Sequence, residues 1–301
     1  VQGLVTPPAN QRAAGIGLAA LAVCFFSSSA TFVRLAAPIS PYEITFWRML
    51  FATATVLAGL AASGSWKADP FPWERRYVLF GLVAALHFLL FVTSLSFTTI
   101  AHSLAITYLA PVFTALAAWR SLGERLRLRQ ALGTGVAIAG IAILVGFEPR
   151  LTNRMLLGDG LALLSAVCYA AYSIAGRSER QRYGLLAYAT AVYGMAAVWL
   201  IPALAAGLLG VGRPAGLAGL QAYSWPRMLA LFGSGVLPLG VGHTLYNASL
   251  RRIPAAYANL IASQEVTGGV VLGALVLGEI PSLTAVSGAA IALAGIVLVL
   301  L

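Results

Sequence analysis

An all-α integral membrane fold, ten transmembrane helices in two inverted five-helix repeats, is predicted by three features of the sequence. Sixty per cent of the 301 residues are hydrophobic and 9% are charged, with a mean hydropathy of +0.88. Soluble domains carry roughly 25% charged residues, so lipid must be the main solvent here. Apolar runs long enough to cross about 30 Å of hydrocarbon as helix recur along the whole chain. The second half also repeats the first. Leu122-Gly123-Glu124 returns as Leu277-Gly278-Glu279, an offset of 279 − 124 = 155. Laying residues 101–145 on 256–300 without a gap matches 11 positions, among them Ile106/Ile261, Gly133/Gly288, Ala137/Ala292 and Gly140/Gly295. Unpaired backbone in hydrocarbon costs several kcal/mol per group, which excludes open sheets, and the alternation of barrel strands is absent.

Charged or Pro/Gly-containing breaks place the spans near 13–35, 42–63, 75–97, 101–119, 127–146, 156–176, 184–207, 225–247, 256–277 and 283–301. The first lacks a small-residue cleavage pattern and precedes many others, so it reads as a mature helix rather than a signal peptide. The ninth carries Gly269 and Gly273 four apart, a spacing that lets backbones approach. Residues 1–147 form the first predicted repeat and 155–301 the second. The link 148–154 holds Glu148, Pro149, Arg150 and Arg154. Five is odd, so the second repeat enters from the opposite face.

The formal charge of +10 does not point to nucleic acid, because the basic residues sit in short breaks and form no continuous face. They report orientation. One alternate set of breaks holds 13 Lys and Arg residues and the other 5, with Arg48 inside a span. The excess marks the cytoplasmic side, so both termini are expected in the cytoplasm and the protein in a bacterial inner membrane. Trp66, Trp73, Tyr77, Trp119 and Trp225 flank the spans and suit headgroup anchoring. Cys24 and Cys168 fall inside apolar helices and read as small core residues rather than a disulfide or metal pair.

Ionisable groups in the bilayer interior cost at least about 2.5–3.5 kcal/mol, so each needs a partner, a wet cavity or a function. Gln264 and Glu265 lie midway along the ninth span, where the first repeat has Leu109 and Ala110. They suit a proton or amine site, or an interhelical hydrogen bond. His87, Phe91 and Ser94 share one face of the third span, and His243, Tyr246 and Asn247 one face of the eighth. Ser165, Tyr169 and Tyr172 line up on the sixth, and the first carries Ser27, Ser28 and Thr31 in the corresponding stretch; packing and local helix-carbonyl bonds also explain such seams. Tyr108 precedes Pro111, which frees a backbone carbonyl and allows a bend. Trp47 and Arg48 open the second span after Glu43. Arg48 either receives a carboxylate or snorkels to the headgroups.

Two similar membrane halves packed together enclose a pathway, which favours a carrier over an enzyme. The Leu-Gly-Glu endings, the spans containing Gly133…Gly140 and Gly288…Gly295, the stretch Glu43-Ile44-Thr45-Phe46-Trp47-Arg48, and Ala101 through Pro111 resemble the drug/metabolite transporter superfamily, EamA type. Within it they look most like its aromatic amino acid exporters. The resemblance implies export of amino acids and related metabolites by alternating access through a cavity between the repeats. It also implies a structural or gating role for Glu124 and Glu279.

The expected substrate-binding residues are His87, Phe91, Tyr108, Tyr169, Tyr172, His243, Tyr246, Asn247, Gln264, Glu265, Trp47 and Arg48. Aromatic side chains would hold the substrate ring, Glu265 or Tyr hydroxyls the ammonium, and His or Asn groups the carboxylate. No catalytic residue, metal or cofactor is expected. The expected partners are a small-molecule substrate and the lipid bilayer, with no nucleic acid, and a monomer suffices. A rhomboid-type protease is disfavoured because Phe232 precedes Gly233-Ser234-Gly235 where that chemistry needs Gly. The rivals are a passive channel and a carrier of another metabolite such as a nucleotide sugar. Highly phosphorylated substrates are disfavoured because Arg48 is the sole Lys or Arg within a span and away from its ends.

Overall fold

Helices account for every regular element among the described residues of this computed structural model, which are 9–64, 74–113, 116, 127–179, 182–212, 222–249, 252–253, 258 and 261–300 (backbone only at 9, 173–179 and 300). In chain order they are α1 (Ala9–Leu35), α2 (Pro41–Ser63), α3 (Arg76–Ser94), α4 (Ile100–Thr107), α5 (Leu128–Gly146), α6 (Asn153–Glu179), α7 (Leu185–Trp199) and α8 (Ile201–Leu208). Then follow α9 (Trp225–Ser234), a π-helical segment (Gly235–Gly242), α10 (His243–Ser249), α11 (Glu265–Leu277) and α12 (Leu283–Leu300). Among the described residues six stretches are long and apolar enough to cross a membrane, and α7 with α8 makes a seventh, bent by 42°. Three shorter apolar helices lie at Ile100–Phe113, Glu265–Leu277 and Leu283–Val299. Trp66, Trp73, Trp119 and Glu124 lie outside the described residues.

Local chemistry sets the ends and the breaks. The Ser40 hydroxyl accepts from the Tyr42 N–H, the Glu43 carboxylate accepts from the Ser40 N–H, and Pro41 occupies the first turn, so α2 starts on a capping box. Gly64, at φ 65°, ends it in the left-handed conformation that glycine adopts without a Cβ penalty. Pro202 cannot donate to the Val198 carbonyl, which accounts for the bend between α7 and α8. Pro238 sits inside the π-helical segment for a related reason. The predicted fourth and ninth spans are both interrupted, by turns at Tyr108-Leu109 and Ser263-Gln264. These turns are 155 residues apart, the repeat offset. Pro111 removes the donor that would bond the Thr107 carbonyl in the first of them, while the second has no proline.

Packing is densest between α5 and α12. A Cβ on Gly133 would meet the Gly295 carbonyl and Leu298, one on Gly288 would meet Leu144, and one on Gly140 would collide with the backbone of Ala292. Gly140→Val should therefore force the two helices apart, lowering stability by about 1–3 kcal/mol as overpacking typically does. Gly135→Val, on the same helix but facing open space, is the control. Thermal unfolding in detergent reads both, and equal shifts would reject the close-packing account. Elsewhere α3 packs on α6 and α7, the π-helical segment on α1 and α2, α1 on α11, and α4 on α6 and α11. Helices from both halves therefore surround the middle of the bundle.

Two sequence expectations change. Tyr77 is a core residue, 2% exposed and edge-on to Tyr183 and Tyr188, rather than a headgroup anchor, because the face of α3 that carries it packs on α7. Both cysteines are free thiols, but Cys24 is exposed on the outer face of α1 and not in the core. Trp225, 72% exposed at the start of α9, keeps a position suited to anchoring.

Before α3, Glu74 accepts a hydrogen bond from the Tyr183 hydroxyl and faces Arg76 and Arg182. The Tyr183 bond first, then the two guanidiniums, hold the Glu74 carboxyl below its ordinary value. A depressed acid stabilises the fold above the ordinary carboxylate range and loses that contribution as pH falls through the folded value. Wild type should therefore lose more thermal stability than Glu74→Gln on acidification from pH 6 to 4. Parallel curves would show that this cluster contributes nothing.

Candidate functional site

A cavity of about 60 Å³ lies in the middle of the bundle. Its wall takes Phe26 and Ser29 from α1, Arg48 from α2, His87, Phe88 and Phe91 from α3, and Leu104, Thr107 and Tyr108 from α4 and its break. Tyr169 of α6, Pro238 and Leu239 of the π-helical segment, His243 and Tyr246 of α10, Ala262, and Glu265 at the start of α11 complete it. Three interruptions in regular helix, at Tyr108, at the π-helical segment and before Glu265, border this space. Irregular backbone at membrane depth is tolerated where it lines a cavity.

The charged groups are few and fixed. Arg48 is 1% exposed, and its Nη2 donates to the Ser29 hydroxyl at 2.9 Å. Its Nε and Nη1 are buried and unpartnered, and the guanidinium lies 5.8 Å from the Phe88 ring centroid. The Tyr108 hydroxyl donates to Glu265 Oε2 at 2.5 Å. Glu265 is the first residue of α11, where backbone N–H groups lack intrahelical acceptors and favour negative charge. His87 Nδ1 faces the Ser165 carbonyl at 3.0 Å, which can only accept, so Nδ1 carries a proton. The Ser165 hydroxyl donates back to the His87 carbonyl, and the ring stacks on Tyr169 at 4.9 Å. His243 sits among Phe26, Phe88 and Tyr193.

Eight of the twelve expected site residues meet in this wall: Arg48, His87, Phe91, Tyr108, Tyr169, His243, Tyr246 and Glu265. The other four lie outside it. Gln264 is exposed in the turn before α11 and accepts from Thr267, because one residue's rotation separates its direction from that of Glu265. Trp47 donates to the Tyr223 hydroxyl at 3.3 Å and stacks on Phe51. Tyr172 packs into the cluster around Tyr77, Tyr188 and Tyr193, and Asn247 is half-buried beside the wall. Arg48 does not snorkel, since α2 carries it into the bundle. Ser27 and Ser28 satisfy carbonyls of their own helix, at Val23 and Phe25, and Ser94 bonds Ser103. Phe26, Ser29, Phe88, Thr107 and Pro238 line the cavity without a sequence pattern to mark them.

A second polar cluster joins the end of the bundle where α1, α3, α5 and α11 terminate. His102, wholly buried, places Nδ1 3.0 Å from Asp159 and Nε2 3.6 Å from Glu148. Asp159 also accepts from the Thr98 hydroxyl at 2.7 Å, and Glu148 from Ser282. Arg34 donates to the Thr98 carbonyl and pairs with Glu279 at 3.2 Å. Glu279 in turn caps α4 through the Ile100 N–H at 2.5 Å. Among the described residues no group of three or more His, Cys, Asp or Glu side chains is arranged to hold a metal.

The comparisons with known proteins agree with this geometry at the level of fold and family. A solved crystal structure matches 96% of this chain and 97% of its own, with a TM-score of 0.64 and 19% identity, which shows a shared fold. A protein of Streptantibioticus cattleyicolor described as a probable terminal-alkyne amino-acid exporter is 28% identical over 193 residues. That match spans 64% of this chain and 61% of the relative, less than two thirds of the relative's length. The model of the EamA-like transporter family matches twice, over residues 13–146 and 156–301. With its succession of apolar helices, this chain is a multi-pass membrane protein that belongs to the EamA-like transporter family.

Proposed function

We propose that this protein exports α-amino acids, aromatic ones foremost, from the bacterial cytoplasm by alternating access. The observation that carries the reading is one cavity whose described lining residues combine a cage of Phe26, Phe88, Phe91, Tyr169 and Tyr246 with a single Arg or Lys, Arg48, and a single acid, Glu265. An aromatic amino acid presents the complementary set of ring, carboxylate and ammonium. The description of the Streptantibioticus relative supports amino acids as the class and suggests slim unsaturated side chains as a second group.

Two inverted five-helix repeats and both termini in the cytoplasm belong to the same reading. The double family match, the 155-residue offset shared by the breaks at Tyr108-Leu109 and Ser263-Gln264, and the reciprocal glycine contacts of α5 and α12 support it. Counterflow in proteoliposomes tests the function, with labelled phenylalanine, alanine, propargylglycine and a nucleotide sugar. Saturable exchange of phenylalanine is expected. Exchange of the nucleotide sugar alone would reject the substrate class, and flux that neither saturates nor shows counterflow would mean a channel.

A further inference from the structure

The cavity holds two groups of opposite charge, and each has spare bonding capacity. Arg48 spends Nη2 on Ser29, yet its Nε and Nη1 N–H groups are buried without any acceptor. Each is a charged donor that a carboxylate oxygen can accept in a charge-assisted bond. Leaving such donors dry and unpaired is costly, so a ligand that satisfies them gains more than it would at a solvated surface. Thr107, on the same wall, also buries an unpartnered hydroxyl. Tyr108 occupies one lone-pair site of Glu265 Oε2, and a carboxylate has about four such sites.

We infer that Arg48 receives the substrate carboxylate and that Glu265, aligned by Tyr108, receives its ammonium, so the cavity selects molecules bearing both groups on one carbon and rejects those with only one. This assignment rests on the proposed function and deepens it. It differs from the sequence expectation, which gave the carboxylate to His or Asn. His87 already donates to Ser165, and Asn247 lies outside the wall. A monoamine would leave the guanidinium unpaired beside its own positive charge. A monocarboxylate would stand against Glu265 with no cation of its own. Discrimination therefore arises from unmatched buried charge, which separates substrates more strongly than side-chain size does.

The test is competition against labelled phenylalanine counterflow by unlabelled phenylalanine, phenethylamine and 3-phenylpropionate. Wild type should favour phenylalanine over either analogue by at least about 10²-fold, the worth of one or two charge-assisted bonds. Arg48→Gln should lose the preference over phenethylamine and keep that over phenylpropionate, and Glu265→Gln should do the reverse. Arg48→Lys, which keeps the charge but not the planar guanidinium donors, serves where Arg48→Gln fails to fold and should retain part of the discrimination. Wild-type competition by phenethylamine as strong as by phenylalanine would overturn the assignment while leaving amino acid export intact. Absence of any phenylalanine counterflow would instead reject the functional reading. Glutamine variants with unchanged analogue ratios would also overturn the assignment.

Discussion

Arg48→Met is expected to weaken saturable phenylalanine exchange by at least about 10²-fold and, at the same time, to raise the melting temperature of the detergent-solubilised protein. The two effects have one cause. Arg48 is 1% exposed, with a single hydrogen bond to Ser29 and two N–H groups unmatched, so the empty carrier bears the desolvation of a cation without full compensation. Replacing a buried charge by an apolar side chain of similar length is commonly neutral or stabilising by about 1–4 kcal/mol. Methionine also preserves the stem that packs beside Phe88. Transport should fall for the complementary reason. Two charge-assisted bonds to a carboxylate, each worth about 1.5–3 kcal/mol, amount to at least about 10²-fold in affinity when lost together. The readouts are melting temperature and the concentration dependence of phenylalanine counterflow. A destabilised variant that still exchanges phenylalanine with wild-type affinity would make Arg48 a structural residue and refute this account.

That pairing of costly burial with activity explains which parts of the molecule were legible in the sequence. Apolar runs and the 155-residue offset depend on one-dimensional pattern, and the observed helices fall where those runs lie. Helical periodicity also brought His87 with Phe91, and His243 with Tyr246, to a common face, and all four line the cavity. Periodicity does not specify how a helix is rotated past a break. Gln264 and Glu265 are neighbours in sequence, but the turn at Ser263-Gln264 ends the helical phase there and sends only Glu265 inward. Asn247 similarly falls just beyond the lined face. Arg48 lies two turns into a capped helix, and its depth depends on how α2 sits against α1 and the π-helical segment, which no local signal encodes. The aromatic wall at Phe26 and Phe88 is invisible for a simpler reason: phenylalanine is common in lipid-facing, core and cavity positions alike. Asp159 and His102 were within reach of the sequence, since both are ionisable residues inside predicted spans and the insertion cost that singles out Glu265 applies equally to them.

His102→Ala should produce the largest loss of stability, about 3–5 kcal/mol, the usual consequence of removing one member of a buried charged cluster. The imidazole lies between Asp159 at 3.0 Å and Glu148 at 3.6 Å, with zero exposure, and among the described residues no other basic side chain pairs with either carboxylate. Alanine would leave two acids on adjoining segments facing a dry gap. Thr98 and Ser282 could each supply only one hydroxyl donor. The loss should be cooperative because the cluster ties the approach to α4 to the start of α6 and the turn before α12, while Arg34 and Glu279 anchor the same approach from the other side. Adding Asp159→Asn to His102→Ala removes one of the stranded charges. The double variant should therefore recover a substantial part of the single variant's loss, giving a coupling energy of about 1–3 kcal/mol in a double-mutant cycle. Thermal unfolding of the four proteins measures it. Strictly additive shifts would show that His102 and Asp159 are independent. In that event this end of the bundle would owe its stability to the apolar packing of Ile100, Leu104 and Leu144 rather than to buried charge.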